Sequence, residues 1–187
     1  MSGDIEKKRI GAQGETVVRE WLKQQGYAIL PASLIDNGGA PLLESRDGKI
    51  ILPNNLTWKN KEMGWVEVKT KSNATEHIAP PRRWEHGLPK RHWMAYWRIQ
   101  EQTGIPVTLA VLELSTALLL IARIEVLGWH SRQYPMQGEM HVFLLRNDFE
   151  RHDIKGLGPL LPIGIAPSAV RTRCQNLPPV SEQIRMM

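Results

Sequence analysis

The chain has 187 residues, of which 42% are hydrophobic and 23% charged, with a formal net charge of +5. These values exclude a disordered or fibrous chain and describe an ordinary globular protein, long enough for one domain with a substantial core. A single cysteine, Cys174, excludes an intramolecular disulfide and a cysteine-based zinc cluster, while the basic excess admits nucleic acid as a partner.

The first residues, Met1 to Arg9, lack the apolar run of a signal peptide. Ile105 to Ala122 is strongly apolar, but Glu113 and Ser115-Thr116 interrupt it, so no membrane span is expected and the reading is cytoplasmic. From Asp4 to Gln25 the spacing of Ile10, Val17, Val18, Trp21 and Leu22 predicts an amphipathic helix that ends at Gly26. Glu15 falls on or beside its inward face. It lies either at the wet margin of the stripe or opposite something that needs a negative charge. Gly11 and Gly14 flank it and would let a strand come close.

A strand is expected at Tyr27-Ala28-Ile29-Leu30, a loop over Asp36–Pro41, and a turn at Arg46-Asp47-Gly48. A second strand starts at Lys49, with a break admitted at Pro53, and runs to Trp58. After the polar link Lys59–Gly64, the stretch Trp65-Val66-Glu67-Val68-Lys69 reads as its antiparallel partner. Residues two apart in a strand share a face, so Glu67 and Lys69 point together while Val66 and Val68 point the other way. A carboxylate beside an ammonium can ligate a divalent metal and orient a water near a phosphate.

Ser72 to Pro89 shows no period and reads as a long loop. A second helix is expected over Lys90–Thr103, closing at Gly104, with the row Trp93-Tyr96-Trp97-Gln100 inward. Pro106–Leu114 and Ala117–Ala122 read as buried strands and Met140–Leu145 as another. The domain is therefore placed at residues 1–146. An irregular tail, rich in proline and glycine, is placed at 147–187.

In this order of elements, over Ile10 to Leu114, the chain resembles the PD-(D/E)xK nuclease superfamily, with its restriction-endonuclease-like, Holliday-junction-resolvase-like fold. The matching parts are Gly11-Ala12-Gln13-Gly14-Glu15, Pro53-Asn54, Glu67-Val68-Lys69 and Gln100. The resemblance implies an αβββαβ α/β core with a mixed central sheet flanked by helices, and an endonuclease that cuts DNA phosphodiesters with Mg²⁺ or Mn²⁺. It implies metal ligation by Glu67, the Val68 carbonyl, Glu15 and the residue at position 54. Lys69 would position the attacking water, and Gln100 would hydrogen-bond around the site. Many relatives act as homodimers on duplex or branched DNA.

The departure is at Asn54, where the family carries an aspartate. An amide in that place removes a full negative charge from a dication site, so weak metal binding and poor or absent cleavage are expected. Two histories fit: a substitution that disables a working enzyme, or a naturally degenerate protein that only binds DNA or a partner. Asp36, Glu44 and Glu62 are the carboxylates available for rescue. Downstream of the motif, Arg82, Arg83, Lys90, Arg91 and Arg98 make a basic stretch suited to backbone phosphates. Turn chemistry after a proline is the plain alternative for Asn54, and solvated surface is the plain alternative for the basic stretch.

Overall fold

The computed structural model describes residues 2–35, 41–46, 48–77, 81–136 and 138–161. A long helix, α1 (Ser2–Gln24), leads into β1 (Ala28–Pro31); the short hairpin β2 (Leu42–Ser45) and β3 (Gly48–Ile51) follows. Next come β4 (Asn55–Lys59), β5 (Glu62–Lys71), β6 (Thr75–His77), β7 (Arg83–Pro89) and α2 (Lys90–Thr103). The remainder is β8 (Val107–Glu113), β9 (Leu118–Arg123), α3 (Ile124–Gly128), β10 (Arg132–Met136), β11 (Glu139–Leu145), β12 (Glu150–Asp153) and a 3-10 turn at Lys155–Leu160.

The central sheet has six strands in the order β1-β4-β5-β8-β9-β12. All neighbours are antiparallel except β5 and β8, where Glu67 lies beside Leu109 and Lys69 beside Val111. This one parallel pair exists because α2 sits in the connection between them and carries the chain back, as parallel pairing demands. The expected mixed sheet flanked by helices is present.

The strand period decides which helix covers which face. Val66, Val68, Ala110 and Leu112 pack with Val17, Val18 and Leu22 of α1. Trp65, Leu109 and Val111 point oppositely and pack with Trp93, Tyr96 and Ile99 of α2. Helix α2 ends where Gly104 takes a φ of 65°, its N–H closing on the Gln100 carbonyl at 2.9 Å. Helix α1 lies so close to β5 that a Cβ added at Gly14 would stand 1.9 Å from Thr70 Oγ1, whereas one at Gly11 would meet nothing. Of the two glycines expected to admit a strand, Gly14 alone does so.

Two expectations are corrected. Ser72–Pro89 is not a loop throughout: β6 and β7 join β11 and β10 in a second, four-stranded sheet ordered β10-β11-β7-β6. Its strand β11 coincides with the expected Met140–Leu145, but β6, β7 and β10 were not expected, because polar groups occupy their inward positions too, among them the buried Glu85 and His86. The stretch from Asn147 does not begin a structureless tail, because Glu150–Asp153 pairs with β9 as the sheet's last strand. Residues 162–187, including Cys174, lie outside the described residues, as do 36–40 and Asp47. The break admitted at Pro53 is present. It separates β3, paired only with β2, from β4 in the central sheet.

Candidate functional site

Glu67 and Lys69 share the α2 face of β5, as the strand period requires. The Glu67 side chain is only 8% exposed, and Lys69 Nζ lies 2.7 Å from its Oε1. Two further donors fix the carboxylate: the Tyr96 hydroxyl donates to Oε1 at 2.8 Å, and the Asn54 backbone N–H donates to Oε2 at 3.1 Å. Burial raises the Tyr96 hydroxyl pKa far above its ordinary value, and the adjacent Glu67 charge raises it further, so this hydroxyl stays a donor.

Asn54 lies just ahead of β4 and extends the ladder with its side chain. Its Oδ1 accepts the Val68 N–H at 2.7 Å and its Nδ2 donates to Glu15 Oε1 at 3.0 Å. Both partners fix the orientation of the carboxamide: a backbone N–H needs an acceptor, and a carboxylate needs a donor. Because a strand residue's N–H and C=O point to the same edge, the Val68 carbonyl points to the side of β5 where Asn54 sits. Asn55, the next residue, is fully buried, and its carboxamide has no partner among the described residues.

Glu15 reaches the group from α1 and has Arg19 3.5 Å from its other oxygen. Burial pushes the Glu15 carboxyl above its ordinary value against the pull of Arg19, and the charge on Glu67 adds to the rise. The cleft over these groups has a volume of about 230 Å³ and is also lined by His92 and Ala95 of α2 and by Leu52. Burial, with the charges of Lys69 and Arg91, holds the His92 imidazole below its ordinary value. Lys71 is likewise lowered, first by burial and then by Lys69.

The structure thus brings together Glu15, Asn54, Glu67, Val68 and Lys69, as the sequence reading grouped them. It does not bring Gln100. That carboxamide donates to Glu125 Oε1 at 2.7 Å and accepts the Val107 N–H at 2.8 Å, so it fastens α2 to α3 and β8. Tyr96, one turn earlier on α2, makes the contact with Glu67. Its place in an aromatic stripe marked it only as core, and the helical spacing shared with Trp93 concealed the hydroxyl's task. His92 was hidden in the basic run. Of the possible rescuers, Glu44 is exposed beside Lys49, Glu62 stands at the other end of β5, and Asp36 lies outside the described residues.

Arg82 is exposed with Glu76 3.9 Å away, and Arg91 pairs with Glu139. Arg83 and Lys90 flank opposite ends of β7, roughly 20 Å apart at the usual rise of a strand. Lys90 and Arg91 precede His92, which lines the cleft, while Arg98 is exposed further along α2.

The donor set does not fit a divalent ion as it stands. No three His, Cys, Asp or Glu side chains meet in a metal-binding group among the described residues. Asn54 turns an N–H, not an oxygen, toward Glu15, and its oxygen is held by the strand.

Fold and cleft together define a mixed-sheet α/β protein with a Glu-x-Lys strand facing a polar pocket. Solved structures similar to it include two nucleases or resolvases. The Holliday junction resolvase of Archaeoglobus fulgidus, an archaeal hyperthermophile, is 11% identical over 80% of this chain and 95% of that one, with a TM-score of 0.49. A nuclease from a fusselovirus is 5% identical over 84% of this chain and 91% of that one, with a TM-score of 0.42. No family profile matches this sequence, and neither does any curated protein. No described helix is long and apolar enough to cross a membrane.

Proposed function

We propose that this chain is a DNA-binding protein built on an endonuclease site of the PD-(D/E)xK type, with hydrolysis weakened or lost at Asn54. The observation that carries the reading is the convergence of Glu67 and Lys69 from β5, Glu15 from α1 and Asn54 from the head of β4 on one cleft. Lys69 presents a cation to a phosphate there, and the charges of Lys90, Arg91 and Arg98 supply affinity for the backbone on either side. Hydrolysis assisted by Mg²⁺ or Mn²⁺ belongs to a form with a carboxylate at position 54. Two copies would be needed to cut both strands of a duplex.

A binding-only role is the second reading. It is favoured by the pairing of both ends of the Asn54 side chain, which leaves neither free for a ligand.

The test is a cleavage assay on supercoiled plasmid and on a four-way junction, with Mg²⁺ or Mn²⁺. It compares the chain itself, Asn54→Asp, and Asn54→Asp combined with Lys69→Ala. Cutting by Asn54→Asp alone establishes the endonuclease site. Binding to DNA in low salt by all three, with no cutting, moves the function to binding only. No affinity for either DNA in low salt overturns both readings.

A further inference from the structure

The mismatch between this cleft and a dication is itself informative, because every side-chain oxygen that Glu15, Asn54 and Glu67 could offer a metal already has a protein donor nearby. Glu67 Oε1 accepts from Tyr96 and Lys69, and its Oε2 from the Asn54 N–H. Glu15 Oε1 accepts from the Asn54 carboxamide, and its Oε2 faces Arg19. Two carboxylates are thus matched by two cations, with an amide bridging between α1 and β5.

An aspartate at 54 would still accept the Val68 N–H but would have nothing to donate to Glu15. Three carboxylates would then crowd one cleft, a state that holds together only with a proton or a cation between them. An amide is the one change of similar size that accepts from the strand and donates to the helix at once.

We infer that Asn54 is a positioning residue that does the work of a cation: it holds Glu15 of α1 to β5, so the cleft is complete and takes a phosphodiester without a divalent ion. The inference rests on the DNA-binding reading for its ligand, but the closure of the cleft is measured without DNA.

The experiment is thermal unfolding of the full chain in EDTA, in Mg²⁺ and in Mn²⁺, beside Asn54→Asp and the exchanged pair Asn54→Asp with Glu15→Gln. The chain itself should melt at one temperature in all three solutions. Asn54→Asp should melt lower in EDTA and regain roughly 5 °C or more at metal concentrations well above its dissociation constant. The exchanged pair returns a donor opposite the acceptor with its direction reversed, so it should recover stability in EDTA even if the single variant folds poorly. A metal-dependent rise for the unaltered chain, abolished by Glu67→Gln, overturns the inference. So does an exchanged pair no better in EDTA than the single variant.

DNA binding by the unaltered chain, measured in EDTA and in Mg²⁺, separates the two claims. Equal affinity in both supports binding without a divalent ion. Affinity only with Mg²⁺ refutes it. No affinity in either solution, with the melting pattern intact, rejects the ligand and leaves Asn54's positioning role standing.

Discussion

Glu67 on β5 and Glu113 on β8 are buried carboxylates on neighbouring strands, turned to the same face of the sheet, yet they serve opposite ends. Glu113 is 1% exposed and saturated: Arg146 donates to both its oxygens at 2.7 and 2.6 Å, His86 Nε2–H to Oε1 at 2.9 Å, and the Thr116 hydroxyl to Oε2 at 2.9 Å. These donors come from β7, from the end of β11 and from the β8–β9 turn, so the carboxylate pins the second sheet to the first. Glu67 takes its cation from its own strand and opens on a cleft. A carboxylate enclosed by a two-pronged guanidinium is held between two sheets, whereas one beside a single ammonium lines a cavity.

The largest expected effect breaks the pin. Arg146→Ala should cost about 3–5 kcal/mol in urea unfolding, because it leaves a buried charge without its main partner. Lys69→Ala should cost less than about 1 kcal/mol, since Tyr96 and a backbone N–H still hold Glu67. Equal losses would erase the distinction. Acid sharpens it. Burial by itself would raise the Glu113 carboxyl, but the Arg146 and His86 hydrogen bonds outweigh it and hold its pKa at about 2 against an ordinary 4.5. Its folded pKa is the lower one, so its stabilisation is complete above about 4.5 and is lost as pH falls toward 2. Glu15, raised by burial, acts with the opposite sign: its contribution is greatest in acid and falls as pH climbs through its folded pKa. Melting temperatures across this range should therefore gain at neutral pH from Glu15→Gln while the acid limb keeps its shape.

Next in size is Gly14→Ala, expected to cost about 1–3 kcal/mol by driving α1 off β5. Thr70→Ala removes the nearest obstructing atom, a buried hydroxyl without a hydrogen-bond partner among the described residues, and should restore most of the loss in the double variant. The smallest is Tyr96→Phe, about 1 kcal/mol by the same unfolding measurement, from one lost hydrogen bond to Glu67.

Much of this was legible beforehand. Period alone placed α1, the hairpin carrying Glu67, α2 from Lys90 to Thr103 and the apolar strands, because each buries one uniform face. Of the second sheet only β11 was legible: β6, β7 and β10 carry His77, Glu85 and Arg132, paired with one another, where alternation leads one to look for valine or leucine. Gln100 was assigned by resemblance, and nothing in a linear sequence says that its amide points along the helix axis to Val107 instead of across to Lys69. Asn54 was grouped with Glu15, and the two side chains do meet, but the polarity of their hydrogen bond appears only when both partners are in place.

The contact between Gly14 and Thr70 sets a mechanical tolerance. With no side chain between them, the helix cannot roll or slip against the strand before atoms collide, so it works as a hard stop. Glu15 is the very next residue. The reach from Glu15 to β5 is therefore machined into the frame of the protein, and a ligand entering the cleft meets a gap whose width was fixed at folding.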